Sequence, residues 1–249
     1  SLSLASGMTI TSSAGNITLG ASGGSITANG ALTLSSNGSI TVSNALTATG
    51  AATLNANSGI TLGNSFTANG AVALDADLDN NGTGDFTISS GTLSTTSNAL
   101  TLTANDLILT GSLNSGTGST TINVSDGGSL GIGFSSGFGM NLTTTEQANI
   151  IGTGDLSLVN GSITISASNS LSASGKLTIG QSGGTITGQG ALTLSGAKGL
   201  AINSSITSAG NLILEGDSNN SADSDDSISL ASGTSLIASA GSITLDATT

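Results

Sequence analysis

Four aspartates crowd one short stretch of this chain: Asp75, Asp77, Asp79 and Asp85, in DADLDNNGTGD (75–85). Acids at i, i+2 and i+4, followed by Gly82, look like the opening of an oxygen-ligand calcium loop. The match is partial. An EF-hand places its glycine directly after the third acid and a glutamate at position 12. Here Asn80 and Asn81 intervene, and position 12 is Phe86. The competing reading is a solvated, charge-rich turn. Carboxylates this close repel one another unless neutralised, which favours a cation. Asp75, Asp77, Asp79 and Asp85 are therefore the candidate calcium ligands, and no other cofactor is implied. A looser acidic group, Asp217, Asp223, Asp225 and Asp226, lies in EGDSNNSADSDD (215–226).

Other chemistry finds little to work with. Acid–base catalysis on a polysaccharide needs clustered acids and a base such as Arg, Lys or His. The chain has no His, and its only two basic residues are Lys176 and Lys198, far in sequence from 75–85. The two lysines stand about one repeat apart and can share a face; isolated surface lysines are the simpler reading. No catalytic residue is assigned, and the expectation is a protein that is not an enzyme. The glycine-rich run GIGFSSGFG (131–139) lacks the Lys-Ser/Thr and strand-helix context of a phosphate loop. Outward threonine rows invite an ice-binding reading, against which the outward positions mix Ser, Thr, Ala and Asn. Asn16-Ile17-Thr18, Asn81-Gly82-Thr83 and Asn141-Leu142-Thr143 match the glycosylation sequon, as expected by chance in so Asn/Ser/Thr-rich a chain.

The net charge of −12, from 14 acids against two lysines, speaks against nucleic acid and against anionic membrane surfaces. Ser, Thr and Gly interrupt every apolar run well short of a spanning helix, so membrane insertion is not expected. Without Cys there is no disulfide framework and no Cys-based zinc or redox site, although this does not fix the compartment. The 249 residues include 38 Gly and no Pro, Trp or Tyr; only 6% are charged. Such polarity can mean disorder. A hydrophobic fraction of 36%, carried mainly by Ala, Leu, Ile and Val in strict alternation, argues for a narrow, stacked interior instead.

The elements that must carry these residues are legible in 25–75, which repeats every 20 residues. Ile26, Leu46 and Phe66 share one place in the repeat, Leu32, Ala52 and Val72 a second, and Ile40 and Ile60 a third. Gly30, Gly50 and Gly70 recur in step, as do Asn37 and Asn57. A fixed period near 20 with three short apolar-polar-apolar pieces is a solenoid signature. Alternation places Ile40 and Val42 inward and Thr41 outward. Corner Gly and Asn are expected to supply positive φ, and stacked Asn37 and Asn57 to hydrogen-bond along the axis. The expected fold is all-β: a right-handed parallel β-helix with about 20 residues and three strands per coil, in about twelve coils.

Residues 1–24 enter this pattern with irregular spacing. At 75–85 an insertion delays the next strand to Phe86–Ile88. Strands then resume at Leu93, Leu100–Leu102 and Leu107–Leu109. Residues 110–155 are the least regular, with a strand at Thr120–Val124 and a short helical turn at Thr143–Ile150, where Thr144 is the expected N-cap. Coils return after 156, with Ile186 and Ile206, and Leu192 and Leu212, each 20 apart. The insertion at 215–226 is placed like the first. Residues 1–21 align with 227–247 at 13 of 21 positions, at an offset of 226; part of the match is the coil pattern common to all repeats, and part suggests a large tandem unit. The chain opens mid-pattern at SLSLASG. Residues 1–249 are read as a single β-solenoid domain, a fragment or repeat unit of a longer chain.

The strand motifs ALTL, GSIT and GITL, the insertion DADLDNNGTGDFT, and ANDLILTGSLNSGTGSTTINV (104–124) followed by MNLTTTEQANIIGTGDLSL (140–158) carry a resemblance. Over essentially the whole chain the sequence resembles the repeat regions of filamentous-haemagglutinin-like proteins, very large secreted bacterial adhesins with a right-handed parallel β-helix. The irregular segments are its most specific part. The amino-terminal secretion domain of that family is not among these residues, so export is implied by kinship only. The resemblance implies a secreted, extracellular or cell-surface location and a non-catalytic structural fibre or adhesin stalk. Its implied partners are glycans or proteins on host or neighbouring cells. Two alternatives stand beside it. One is a filament subunit that stacks end to end with copies of itself. The other is a carbohydrate-active β-helix enzyme, which the lack of Arg and His disfavours.

Overall fold

In the computed structural model, which describes residues 1–167, 169–221 and 226–247, the paired strands are parallel. The chain divides into two compact units: Ser1–Asp126 with Thr145–Gly152, and Gly127–Thr144 with Thr153–Thr249. Each is a β-solenoid in which a strand pairs with its counterpart one coil away.

Unit one has three faces. The first stacks Leu2–Leu4, Ile26–Ala28, Leu46–Ala48, Phe66–Ala68, Thr92–Ser94 and Ser112–Asn114. The second stacks the longer strands Met8–Ser12, Leu32–Ser36, Ala52–Ala56, Val72–Asp75, Leu100–Ala104 and Thr120–Val124. The third stacks Ile17–Leu19, Ile40–Val42, Ile60–Leu62, Phe86–Ile88 and Leu107–Leu109. The register aligns like with like: Ile26, Leu46 and Phe66 form one column, and Ile40, Ile60 and Phe86 another. These side chains are fully buried. Most of the three-residue strands point their first and third side chains inward and the middle one out, whereas Thr92–Ser94 and Ser112–Asn114 bury only the middle Leu93 and Leu113; the coil of Ile26–Ala28, Leu32–Ser36 and Ile40–Val42 buries 7 of its 11 strand residues. Because identical positions stack, the interior is a set of aliphatic columns, with Phe66 and Phe86 as its largest members.

The outward positions form columns too. On the second face Thr9, Thr33, Thr53, Ala73, Thr101 and Thr121 line up. Beside them run Thr11, Ser35, Asn55, Asp75, Thr103 and Asn123.

Unit two repeats the scheme. One face stacks Leu156–Val159, Leu177–Ile179, Leu200–Ile202 and Ile228–Leu230. A second orders Met140–Leu142, Leu130–Ile132, Ser162–Ile165, Thr185–Gly188, Ser205–Ser208 and Leu236–Ala238. A third orders Asn169–Ala173, Leu192–Gly196, Leu212–Glu215 and Ile243–Asp246. The glycine-rich run 131–139 joins the parallel neighbours Leu130–Ile132 and Met140–Leu142, with the Phe138 ring packed over Gly131 and 4.8 Å from the Phe134 ring.

The coil count departs from the sequence expectation. The two units contain about nine turns spaced about 23 residues apart, not twelve of 20. Paired residues are 20 apart at Ile26↔Leu46, but 24 apart at Leu2↔Ile26, 28 at Val72↔Leu100 and 31 at Leu212↔Ile243. The extra length sits in corners. A corner lies on the surface, where added residues leave both ladders intact, so the minimum repeat understates the mean.

Two corner expectations also change. Gly30 has φ 146, but Gly50 and Gly70 are not in the left-handed region. Their reason is close approach. A Cβ at Gly50 would lie 2.8 Å from the Ala31 nitrogen, and one at Gly70 would lie 2.7 Å from the Ala51 nitrogen. The corner asparagines do not ladder with each other. Asn37 Nδ2 donates to the Ser13 carbonyl at 2.8 Å, and Asn29 Nδ2 to the Leu4 carbonyl at 3.0 Å. Asn44 bonds both ways, donating to the Gly24 carbonyl and accepting from the Ala21 N–H. Each clips its own coil to the backbone of the one before, satisfying corner groups that no strand ladder reaches.

Helix α1, Thr144–Ala148, begins at Thr144, which puts the cap position at Thr143. It covers an otherwise open strand edge: Glu146 Oε1 accepts from the Leu109 N–H at 3.3 Å, and Asn149 Nδ2 donates to the Leu109 carbonyl at 2.8 Å. Strand edges left bare invite pairing with other chains.

Candidate functional site

The acidic corner of unit one grows from the strand Val72–Asp75. Asp75 is not in the loop. It ends the strand and belongs to the outward polar column between Asn55 and Thr103. Burial pushes its carboxyl pKa up, and the nearby Asp77 charge adds to this; the Asp77 N–H, donating to Asp75 Oδ1 at 3.2 Å, pulls the other way.

Asp77 is fully buried and organises the insertion. Its Oδ1 accepts from the Asn81 N–H at 3.1 Å, and its Oδ2 from the Gly82 N–H at 3.0 Å and from Ser125 Oγ at 2.6 Å. Ser125 follows Thr120–Val124, two coils further along the second face. The loop therefore folds down along the stack. Asn80 takes φ 51 to turn the chain, and the Leu78 N–H holds the loop to the preceding coil through the Ala56 carbonyl. Charge-assisted bonds of this kind are the strong ones.

Asp79 is exposed and accepts from Asn81 Nδ2 at 2.9 Å. Asp85 is half-buried and accepts from Asn105 Nδ2 at 3.1 Å. The four candidate ligands thus serve different partners. Among the described residues no group of three or more acidic side chains converges on one point.

The second acidic corner uses the same device. Asp217 is buried, its Oδ1 accepts from the Ser221 N–H at 3.2 Å, and Asn220 takes φ 50. The Ser218 N–H reaches back to the Gly196 carbonyl as Leu78 does to Ala56. Asp223 and Asp225 lie outside the described residues, so the looser acidic group is seen only in part.

Sequence reasoning missed Ser125, which lies 48 positions from Asp77 with nothing local to mark it. The signal for the cap itself was present: Asp-x-x-Asn-Asn/Ser recurs at Asp77–Asn81 and Asp217–Ser221. Lys176 and Lys198 do occupy one corner of adjacent coils in unit two, since Leu177 pairs with Leu200 and the Lys198 N–H donates to the Gly175 carbonyl. The acidic corner 75–85 belongs to unit one.

Comparison with known proteins gives no matching family model, no matching curated protein and no matching solved structure.

Proposed function

We propose that this chain is a length of non-catalytic structural fibre or adhesin stalk, exported and displayed on a bacterial cell surface. The observation that carries the reading is the in-register stacking of coils whose outward second-face columns are mostly threonine, serine and asparagine, interrupted by Ala73 and Asp75. Within each unit such a stack repeats a surface rich in hydroxyl and amide groups from coil to coil. The resemblance of its irregular segments to filamentous-haemagglutinin-like repeats supports export and surface display. Its partners are then glycans or proteins on host or neighbouring cells, met through the polar faces.

Antibody raised against the folded chain tests this on intact source cells. Labelling that disappears after brief external proteolysis is the expected result. Labelling seen only after permeabilisation overturns the proposal.

A further inference from the structure

The first and last coils are identical at 13 of 21 aligned positions, the five residues of Met8–Ser12 all differing from 234–238, and they differ in what covers them. Coil one comprises Leu2–Leu4, Met8–Ser12 and Ile17–Leu19; the last described coil comprises Ile228–Leu230, Leu236–Ala238 and Ile243–Asp246. Leu4, Ile17 and Leu19 match Leu230, Ile243 and Leu245 in the 1–21 and 227–247 alignment. The first three are 6–8% exposed, the second three 42–56%. Each coil has one stacked neighbour, on opposite sides. The neighbour that buries these positions is the following coil: Leu4, Ile17 and Leu19 lie under Ala28, Ile40 and Val42.

The polar receptors of that neighbour are duplicated as well. Coil two, 22–45, clips to coil one through Asn29 on Ser3 and Leu4, Asn37 on Ser13, and Asn44 on Ala21. Those four receptors recur unchanged as Ser229, Leu230, Ser239 and Ala247. Of the close corner contacts, Gly30 sits against Ser6, matching Ser232, while Gly38 sits nearest the Asn16 side chain, where the last coil has Ser242, and next to Gly15, matching Gly241. One polar contact does not carry over, because Asn16, which accepts from the Ser39 N–H, becomes Ser242.

We infer that the open edge of the last coil is a stacking surface for a parallel coil with the sequence of residues 22–45. The register places Ile40 of that coil on Ile243, Val42 on Leu245 and Ala28 on Leu230. Its three asparagines bond to Ser229, Leu230, Ser239 and Ala247. The inference rests on coil stacking and not on the surface-fibre reading, so either can fail without the other.

The test appends residues 22–45 to the full chain after Thr249 and compares this with an appended shuffle of the same 24 residues. Amide hydrogen exchange is read at Ile228–Leu230, Leu236–Ala238 and Ile243–Asp246. Protection like that of Ile26–Ala28 and Ile40–Val42, with a raised melting temperature, is expected for the true coil only. Equal protection from the shuffle, or none from either, overturns the inference. Ile243→Asp supplies a second reading: it should leave the unextended chain's melting nearly unchanged and abolish the extended chain's gain. A gain that survives Ile243→Asp overturns the stacking register. Protection of this edge in the unextended chain that rises with protein concentration also overturns the inference, since it gives the edge to a second molecule.

Discussion

Gly50→Ala places a methyl carbon 2.8 Å from the Ala31 nitrogen and 2.9 Å from the Gly30 carbonyl carbon. Ordinary contact begins near 3.4 Å, so the shortfall is roughly 0.6 Å against a coil spacing of about 4.8 Å. The obstructing atoms are backbone, one residue from the ladder bond in which the Leu32 N–H donates to the Ala51 carbonyl. They cannot swing aside as a side chain can. The coils must part locally or the corner must tilt, an overpacking cost of about 1–3 kcal/mol. For a chain of 249 residues, at about 2–4 °C per kcal/mol, that lowers the melting temperature by roughly 2–12 °C. Gly161→Ala is the control: no atom lies within 4 Å of its Cβ position, and its φ is not in the left-handed region. There the loss of unfolded-state freedom should stabilise by about 0.4–1 kcal/mol. Thermal melts followed by far-ultraviolet circular dichroism, at equal concentration and scan rate, separate the two. If Gly50→Ala melts with or above Gly161→Ala, close axial approach is not why glycine holds this corner, and Gly70 loses the same explanation.

Asp77→Ala leaves Ser125 Oγ and two loop N–H groups without their acceptor. Water can replace it for the loop amides but less readily at the buried hydroxyl, so a loss of about 1–3 kcal/mol is expected, with new proteolytic nicking at 78–83; unchanged nicking would show that Asp77 does not hold the loop. Asp75 carries a folded-state pKa above its unfolded value, so the folded state holds the proton more tightly. Its contribution is most favourable below the unfolded value of 3.8 and is lost as pH rises through the raised folded value. Asp75→Asn should therefore be at least as stable as the parent at neutral pH, with the difference vanishing in acid; a variant that is less stable at neutral pH contradicts this. Melting with calcium or with EGTA should coincide, because Asp75, Asp77, Asp79 and Asp85 each serve a different partner and do not converge on one point; a transition raised by calcium would make the corner a cation site.

The regular coils were legible because alternation and a fixed offset constrain them twice. Phe86–Ile88, Leu107–Leu109 and Thr120–Val124 form where the spacing put them, and Ile186↔Ile206 and Leu192↔Leu212 pair at the expected offset. What alternation cannot show is how much chain a corner absorbs, which is why the coil number came out high. Nor does spacing separate a glycine needed for its φ, such as Gly30, from one needed because backbone passes close by, such as Gly50. The acidic corner shows the same limit. Four aspartates within eleven residues look like one group, but strand direction sends Asp75 outward while Ser125, from two coils away, draws Asp77 inward. Such long-range pairing leaves no trace in local composition.

The unequal corners have an engineering consequence. One coil takes 20 residues, from Ile26 to Leu46, and another 31, from Leu212 to Ile243, while the parallel register on either side stays in step. Foreign peptide spliced into a corner that carries no brace like that of Asp77 on Asn81, Gly82 and Ser125 would hang outside the ladders that hold the stack. The stack is thus a display rack whose rungs are indifferent to what is mounted on them.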